Sequence, residues 1–200
     1  MSERYNGALT REQFLFREMR IVAKLRLEGL SDEEIVNKVW EQNLFQYPTE
    51  KLLKNKARAC VRRLNVLEDV RPLTNILANG PTSEARLAAL VAMMLASALL
   101  AEFMVSVIGE KYRTLDQTLS RKDLSLFFLR LQQQDAGVAG WSDSTVEKIK
   151  TVILNCLKET GYIKDAREGV LYPVVLPDQM AQALRSAGLQ AFLPAFNVFI

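Results

Sequence analysis

Residues 87–108 read LAALVAMMLASALLAEFMVSVI, an apolar run in which Glu102 is the one charged side chain. The run is long enough to cross a bilayer, which takes roughly 20 apolar residues. A carboxylate at the membrane centre costs about 2.5–3.5 kcal/mol on insertion scales, and the chain has no second run of this kind. A helix that is apolar all round also suits the centre of a helical bundle. We therefore predict a buried central helix and no membrane span.

The composition is typical of a globular chain that binds rather than catalyses. Apolar residues make up 49% of the 200 positions, enough to bury a core. Histidine is absent, which removes the commonest general base and metal ligand, and Cys60 and Cys156 form no metal-ligand motif. The sequence contains no phosphate-binding loop and no nucleophile motif. We expect no enzymatic activity, no cofactor and no bound metal.

Residues 1–80 are predicted to form an N-terminal helical module. Gly29 ends a first amphipathic helix, and Ser31 begins the second, with Glu34 as its capping-box partner three residues on. A short link leads to Thr49, which caps a third helix that reaches about Leu64. Helix, glycine turn, helix, link and helix is the outline of a three-helix DNA-binding unit.

The third helix carries the strongest functional signal. Between positions 51 and 63 it holds six basic residues and no acidic one. At about 100° per residue, four of them fall in a stripe roughly 80° wide: Lys51, Lys54, Arg58 and Arg62. Arg63 is a fifth candidate contact. Such a stripe suits phosphate, which relieves the repulsion between like charges, but it equally suits a solvated basic face, and both interpretations stay open.

Residues 81–200 are predicted to form a second module that contains a winged helix. Its long helix spans about 142–160, and extended pieces around a glycine-containing turn at 162–174 predict a β-hairpin, the wing. One face of the long helix carries side chains that can contact phosphates and base edges: Ser144, Lys148, Thr151, Asn155 and Lys158. These side chains are equally ordinary on a solvated surface, and Glu147 and Glu159 beside them would repel phosphate.

Seven short strings of residues are distinctive: FLF at 14–16, EGL at 28–30, NLFQYP at 43–48, ARAC at 57–60, RRL at 62–64, GYI at 161–163 and YP at 172–173. In these strings the chain resembles the BrxA family, a small core component of BREX (bacteriophage exclusion) systems. The resemblance covers the whole chain. It implies a helical globular protein with two helix-turn-helix-like elements that binds double-stranded DNA. It also implies work beside a methyltransferase, an ATPase and other BREX components, and it carries no catalytic motif.

The residues and the resemblance together predict an all-α protein, a compact helical globule with two helix-turn-helix-like elements and a small C-terminal β-hairpin. The predicted function is double-stranded DNA binding as an accessory protein of BREX defence, through phosphate contacts of a basic helix. A non-catalytic assembly adaptor for other defence proteins and an RNA-binding helical module stay open as alternatives. We expect a monomer. We also expect a cytoplasmic location, since the first ten residues lack the apolar stretch of a signal peptide.

Overall fold

The computed structural model describes residues 5, 7–10, 13–165 and 167–199, and within these ranges it contains helices and no strand. The predicted all-α class is therefore confirmed. The α-helices in chain order are α1 (Phe16–Leu27), α2 (Asp32–Glu41), α3 (Glu50–Asn65), α4 (Arg71–Asn79), α5 (Thr82–Ala96), α6 (Ala98–Phe103), α7 (Glu110–Arg113), α8 (Arg121–Gln134), α9 (Ala136–Ala139), α10 (Asp143–Glu159) and α11 (Asp178–Ser186). Short 3-10 helices occur at Gly7–Thr10, Glu68–Val70 and Gln190–Phe196.

The apolar run of residues 87–108 is divided between two helices, and the prediction of one continuous helix is wrong. Ser97 has an extended backbone (φ −139°, ψ 102°) between α5 and α6. Its hydroxyl accepts a hydrogen bond from the Leu100 N–H at 3.3 Å and so caps α6. From α6 the chain continues through a π-helical turn (Met104–Gly109) into α7, and this arm is bent by 114° from α5. In the described ranges no single helix is long and apolar enough to span a membrane, and only this bent pair meets the length and composition requirement.

The burial predicted for the apolar run is confirmed for residues 87–94 of α5, which are covered on all sides. Every residue from 87 to 94 is buried. The helices α1, α3, α4 and α6 pack against α5, and such burial stabilises the fold by about 25 cal/mol per Å² of apolar surface. Buried side chains from both halves of the chain form one continuous cluster. The division into modules at 1–80 and 81–200 stays a prediction.

Two predicted helix starts of the first module are confirmed. The Ser31 hydroxyl accepts a hydrogen bond from the Glu34 N–H at 3.4 Å, and the Glu34 carboxylate accepts one from the Ser31 N–H at 2.8 Å. This reciprocal pair is the predicted capping box at the start of α2. Thr49 caps α3 in the simpler way, with its hydroxyl accepting from the Leu52 N–H at 3.3 Å.

Residues with positive φ follow the C-termini of several helices. In five places the residue is glycine or asparagine, the types that tolerate this conformation: Gly29, Asn43, Gly161, Gly188 and Asn197. The exception is Leu115 after α7, with φ 57° and 86% of its surface exposed. The N–H of the next residue, Asp116, bonds back to the Lys111 carbonyl oxygen at 2.8 Å and closes the turn. A leucine in this left-handed region costs about 1 kcal/mol.

The β-hairpin predicted at residues 162–174 is wrong. Its two arms are joined outside the turn by a backbone hydrogen bond from the Tyr172 N–H to the Tyr162 carbonyl oxygen at 2.8 Å, and no strand forms in the described part of the segment. Pro173 follows directly and has no N–H with which to extend a ladder. Ala166, in the segment predicted as the turn, lies outside the described residues.

The second arm of the predicted hairpin pairs instead with the segment that precedes α8. The Leu119 N–H donates to the Gly169 carbonyl oxygen and the Leu171 N–H donates to that of Gln117, both at 2.9 Å. The result is an isolated antiparallel bridge between Thr118 and Val170. A partner distant in sequence thus takes the backbone groups that a hairpin would have used.

Lys111 connects α7 to the segment that leads into α8. Its ammonium group lies 2.7 Å from Asp116 Oδ2 and 3.1 Å from Asp123 Oδ1. Desolvation by burial opposes the charge of Lys111, but hydrogen bonds to the two carboxylates outweigh it and raise the pKa of Lys111. The hydrogen bond from Lys111, together with those from Thr118, lowers the pKa of Asp116 to about 2.

We expect Leu115→Asn to raise the free energy of unfolding by up to about 1 kcal/mol, because asparagine tolerates the positive φ and the exposed leucine loses little burial. Urea denaturation measures the change. The matched control is Leu126→Asn, at a half-exposed position inside α8, which should lower stability by about 0.5 kcal/mol through helix propensity. A loss of stability at position 115 would contradict the strain argument.

We expect Asp116→Asn to remove part of the acid sensitivity of the fold. The pKa of Asp116 is depressed to about 2 from 3.8, so its ion pair stabilises the native state fully above pH 4 and is lost as the pH falls towards 2. Thermal unfolding of both proteins across this range should show the wild-type Tm higher at pH 6 and the two values converging near pH 2. A Tm difference independent of pH would contradict the assignment.

Candidate nucleic-acid interface

The sequence of α3 forms a helix with one apolar and one basic face. Leu53, Ala57, Cys60 and Leu64 recur at helical spacing, and each is at most 4% exposed. They pack α3 against the core, where α1, α2 and α5 contact it. Because the apolar face is fixed inward, the residues on the opposite side of α3 must point to solvent.

Three of the basic residues predicted for the stripe are exposed as expected: Lys51, Arg58 and Arg62. We call these three the basic stripe. They occupy positions i, i+7 and i+11 of one helix, so they follow each other along a single face. Asn55, which the sequence analysis did not single out, is also exposed and lies on the same face between Lys51 and Arg58. The helical period that placed the basic residues would have found it.

Lys54 is not part of the basic stripe, although the sequence predicted it to lie on the same face as the other three residues. Its ammonium group forms an ion pair with Glu50, one turn earlier on α3. It also lies 4.2 Å from the centroid of the Trp40 ring, which belongs to α2. A cation over an aromatic face is attracted by the ring quadrupole. Lys54 therefore has intramolecular partners that compete with a phosphate.

Arg63 does not belong to the surface of α3, and its prediction as a DNA contact is corrected. It is 1% exposed. Its Nη1 donates to the Phe14 carbonyl oxygen at 3.0 Å and its Nη2 to the Gln13 carbonyl oxygen at 2.9 Å. The guanidinium group thus satisfies backbone carbonyls just before α1. Helical spacing already placed Arg63 outside the stripe, about 100° from Arg62 and towards the apolar face, but its charge alone made it a candidate contact.

A groove of about 600 Å³ runs between α2 and α3, beside the basic stripe. It is lined by Asp32, Glu33, Val36, Asn37, Arg58, Val61, Arg62 and Asn65. The Asp32 carboxylate forms an ion pair with Arg26 and accepts a hydrogen bond from the Asn65 amide group. Desolvation raises the pKa of Asp32, but the hydrogen bonds from Asn65 and Arg26 outweigh it and leave the pKa below its usual value. The groove therefore presents two arginines on one wall and acidic side chains on the other.

The polar face predicted on α10 is exposed at all five positions: Ser144, Lys148, Thr151, Asn155 and Lys158. The Thr151 hydroxyl donates to the Glu147 carbonyl oxygen at 2.9 Å, within its own helix. Glu147 pairs with Lys150 at 2.8 Å, and Glu159 lies 3.7 Å from Arg86. Neighbouring cations thus partly neutralise the two acids that flank this face.

The fold and these surfaces define a class: an all-helical protein with an exposed basic helix. Across the part of the chain that is described, no group of three or more acidic or thiol side chains is placed to hold a metal ion. The model of the BrxA family matches residues 3–188. The chain belongs to the BrxA family, as the resemblance in its sequence predicted.

Relatives with the name BREX protein BrxA are similar over most of their length. The relative from Bacillus cereus (strain H3081.97) is 32% identical over 163 residues, which cover 82% of this chain and 80% of the relative. The relative from Escherichia coli O9:H4 (strain HS) is 24% identical and covers 92% of this chain and 85% of its own. The crystal structure of an uncharacterized protein from Magnetospirillum magneticum shares the fold, with a TM-score of 0.80, 24% identity and coverage of 96% and 98%.

The neighbours Arg62 and Arg63 provide a matched test of the two environments on α3. Arg63→Ala should lower the free energy of unfolding by about 3 kcal/mol, because it leaves a cavity and removes donors from two backbone carbonyls. Arg62→Ala should change it by less than about 0.5 kcal/mol, as is usual for an exposed side chain. Denaturant unfolding measures both. Equal losses, or a larger loss at Arg62, would overturn the assignment of the faces.

Proposed function

We propose that this BrxA-family protein binds double-stranded DNA, with the basic stripe of α3 as the main phosphate contact. The observation that carries the proposal is the segregation of α3 into a buried apolar face and an exposed face with Lys51, Arg58 and Arg62. Cations placed along one face can each neutralise a phosphate and release its counterion, which is the main source of sequence-independent affinity for DNA.

The order of the helices supports duplex DNA as the ligand. The helices α2 and α3 pack on each other as the two helices of a helix-turn-helix do, although the link between them, residues 42–49, is longer than the usual turn of about three or four residues. In such a unit the second helix enters the major groove, and here the second helix is the basic one. α8 and α10 form the second unit of this proposal, with the exposed face of α10 as an additional contact.

The acidic side chains near α3 limit where the DNA backbone can run. Glu50 neutralises Lys54 at the start of α3, and Glu33 faces Arg58 and Arg62 across the groove. A phosphate chain follows the basic stripe and avoids the α2 side of the groove, because carboxylates repel phosphate. Phosphate contacts position a protein without reading sequence, so this surface has weak sequence preference.

Within BREX defence, we propose that the protein acts in the cytoplasm as a non-catalytic factor that brings DNA to other BREX components, a methyltransferase and an ATPase among them. An assembly adaptor is the second candidate function. It is favoured by Leu126 and Leu129, which follow each other on α8 and are each 52% exposed. The two functions are compatible, because α3 and α8 present separate surfaces.

We expect the triple change Lys51→Ala, Arg58→Ala, Arg62→Ala to weaken duplex DNA binding strongly and to reduce its salt dependence. Each lost phosphate contact should remove about 0.9 from the slope of log affinity against log salt, so three contacts remove about 2.7. Fluorescence anisotropy with a labelled duplex at several salt concentrations measures both quantities. Lys51 replaces Lys54 in this design because Lys54 already has Glu50 and Trp40 as partners.

The matched control is the double change Lys148→Ala, Lys158→Ala on α10, which should have the smaller effect on the slope. Circular dichroism and thermal unfolding should show that both variants fold. If the folded α3 variant binds duplex DNA like the wild type, the basic stripe is not the contact. If the α10 variant then lowers the slope of log affinity against log salt, the interface lies on α10. Competition by structured RNA at equal strength would favour the RNA-binding alternative. An adaptor alone would show no salt-dependent DNA binding.

A further inference from the structure

The groove between α2 and α3 combines three kinds of chemistry within about 600 Å³, a volume in the usual range for a bound small molecule. Arg58 and Arg62 form one wall. Val36 and Val61 form an apolar floor, and Glu33 and Asn37 stand on the α2 side. We propose that this groove binds a single unpaired nucleotide, with its phosphate on the arginines and its base on the valines. The inference rests on the proposed nucleic-acid function of the basic stripe.

The arginine wall suits the phosphate and the sugar-facing edge of a nucleotide. Arg58 and Arg62 lie one helical turn apart, and a guanidinium group presents a planar set of N–H donors that matches phosphate oxygens. A guanidinium plane also stacks on a base, which makes it suitable for both parts of the ligand. Since these two residues belong to the basic stripe, a strand that follows α3 already carries its phosphates past the mouth of the groove.

The α2 wall suits the hydrogen-bonding edge of a base. The Glu33 carboxylate is exposed and accepts hydrogen bonds, which fits the adjacent N–H donors on the Watson–Crick edge of guanine. The Asn37 carbonyl oxygen accepts a hydrogen bond from the Trp40 indole at 3.4 Å, so its amino group serves as a donor to a base. A nucleotide carries its charge at the phosphate, on the arginine wall, and presents uncharged N–H donors to Glu33, whereas a peptide that is acidic along its length would place carboxylates against both walls.

A base inside a duplex cannot make these contacts, because its Watson–Crick edge is paired and its faces are stacked on the neighbouring bases. An unpaired nucleotide has both available, and stacking and edge contacts add to the phosphate contacts that any DNA makes. The groove therefore favours DNA with an unpaired nucleotide over a fully paired duplex, while the basic stripe binds both.

The test compares two labelled duplexes that differ by one unpaired guanosine, with guanosine monophosphate and inorganic phosphate as competitors. We expect the bulged duplex to bind about five- to tenfold more tightly than the paired one, at the lower end of what one good pair of hydrogen bonds to a base edge provides. Asn37→Trp, at an exposed position that lines the groove, should fill it and abolish the difference while leaving affinity for the paired duplex unchanged. The control, Gln133→Trp on the exposed side of α8, should preserve the difference.

Glu33→Gln adds a readout that simple loss of folding cannot mimic. Removing this carboxylate should raise affinity for the paired duplex, since repulsion of phosphate falls, and should reduce the preference for the bulged one. Competition by guanosine monophosphate that Asn37→Trp abolishes would assign the site to free nucleotides instead of a strand. If paired duplex binds but neither the bulge nor the mononucleotide is favoured, the nucleotide site is refuted and the proposed function stands. If no DNA and no nucleotide binds, both fail.

Discussion

The structure depends on one constraint: residues 87–94 of α5 have no polar face. Each residue from 87 to 94 is buried, so helices must cover α5 on every side. α1, α3 and α4 come from earlier in the chain, and α6 follows across the bend at Ser97. This requirement orients the covering helices, because each turns its own apolar stripe towards α5 and its polar side towards solvent. The exposed basic stripe of α3 is thus a consequence of the packing around α5.

The basic residues of α3 have different roles because their positions on the helix differ. Arg63 is desolvated and holds two carbonyl groups before α1, whereas Arg62, one position earlier, lies in solvent. Lys54 is drawn to Glu50 and Trp40, which links α3 to α2. The basic residues of α3 therefore fall into two groups, those packed against other parts of the fold and those whose side chains are exposed to solvent. The proposed function uses only the second group.

The proposed DNA contact and the proposed nucleotide site share two arginines and little else. The basic stripe places positive charges along one face of α3, which suits nucleic acid of any sequence. The groove beside it adds an apolar floor and a carboxylate, which a phosphate chain alone does not use. Membership of the BrxA family implies a component that acts together with other BREX proteins, and the exposed leucines of α8 lie on a different helix from the basic stripe.

The sequence alone determined the helical class, the capping of α2 and α3, the burial of the apolar run and the two-faced character of α3. These features depend on local spacing and on residue chemistry that a helix expresses wherever it lies. Tertiary structure decided the rest. The apolar run bends at Ser97, where the backbone is extended, and residues 169–171 pair with 117–119 across about fifty positions instead of with their neighbours. Lys54 pairs with Glu50 inside α3, but its contact with Trp40 and the burial of Arg63 depend on other segments, and no local pattern encodes which charge a distant backbone will bury.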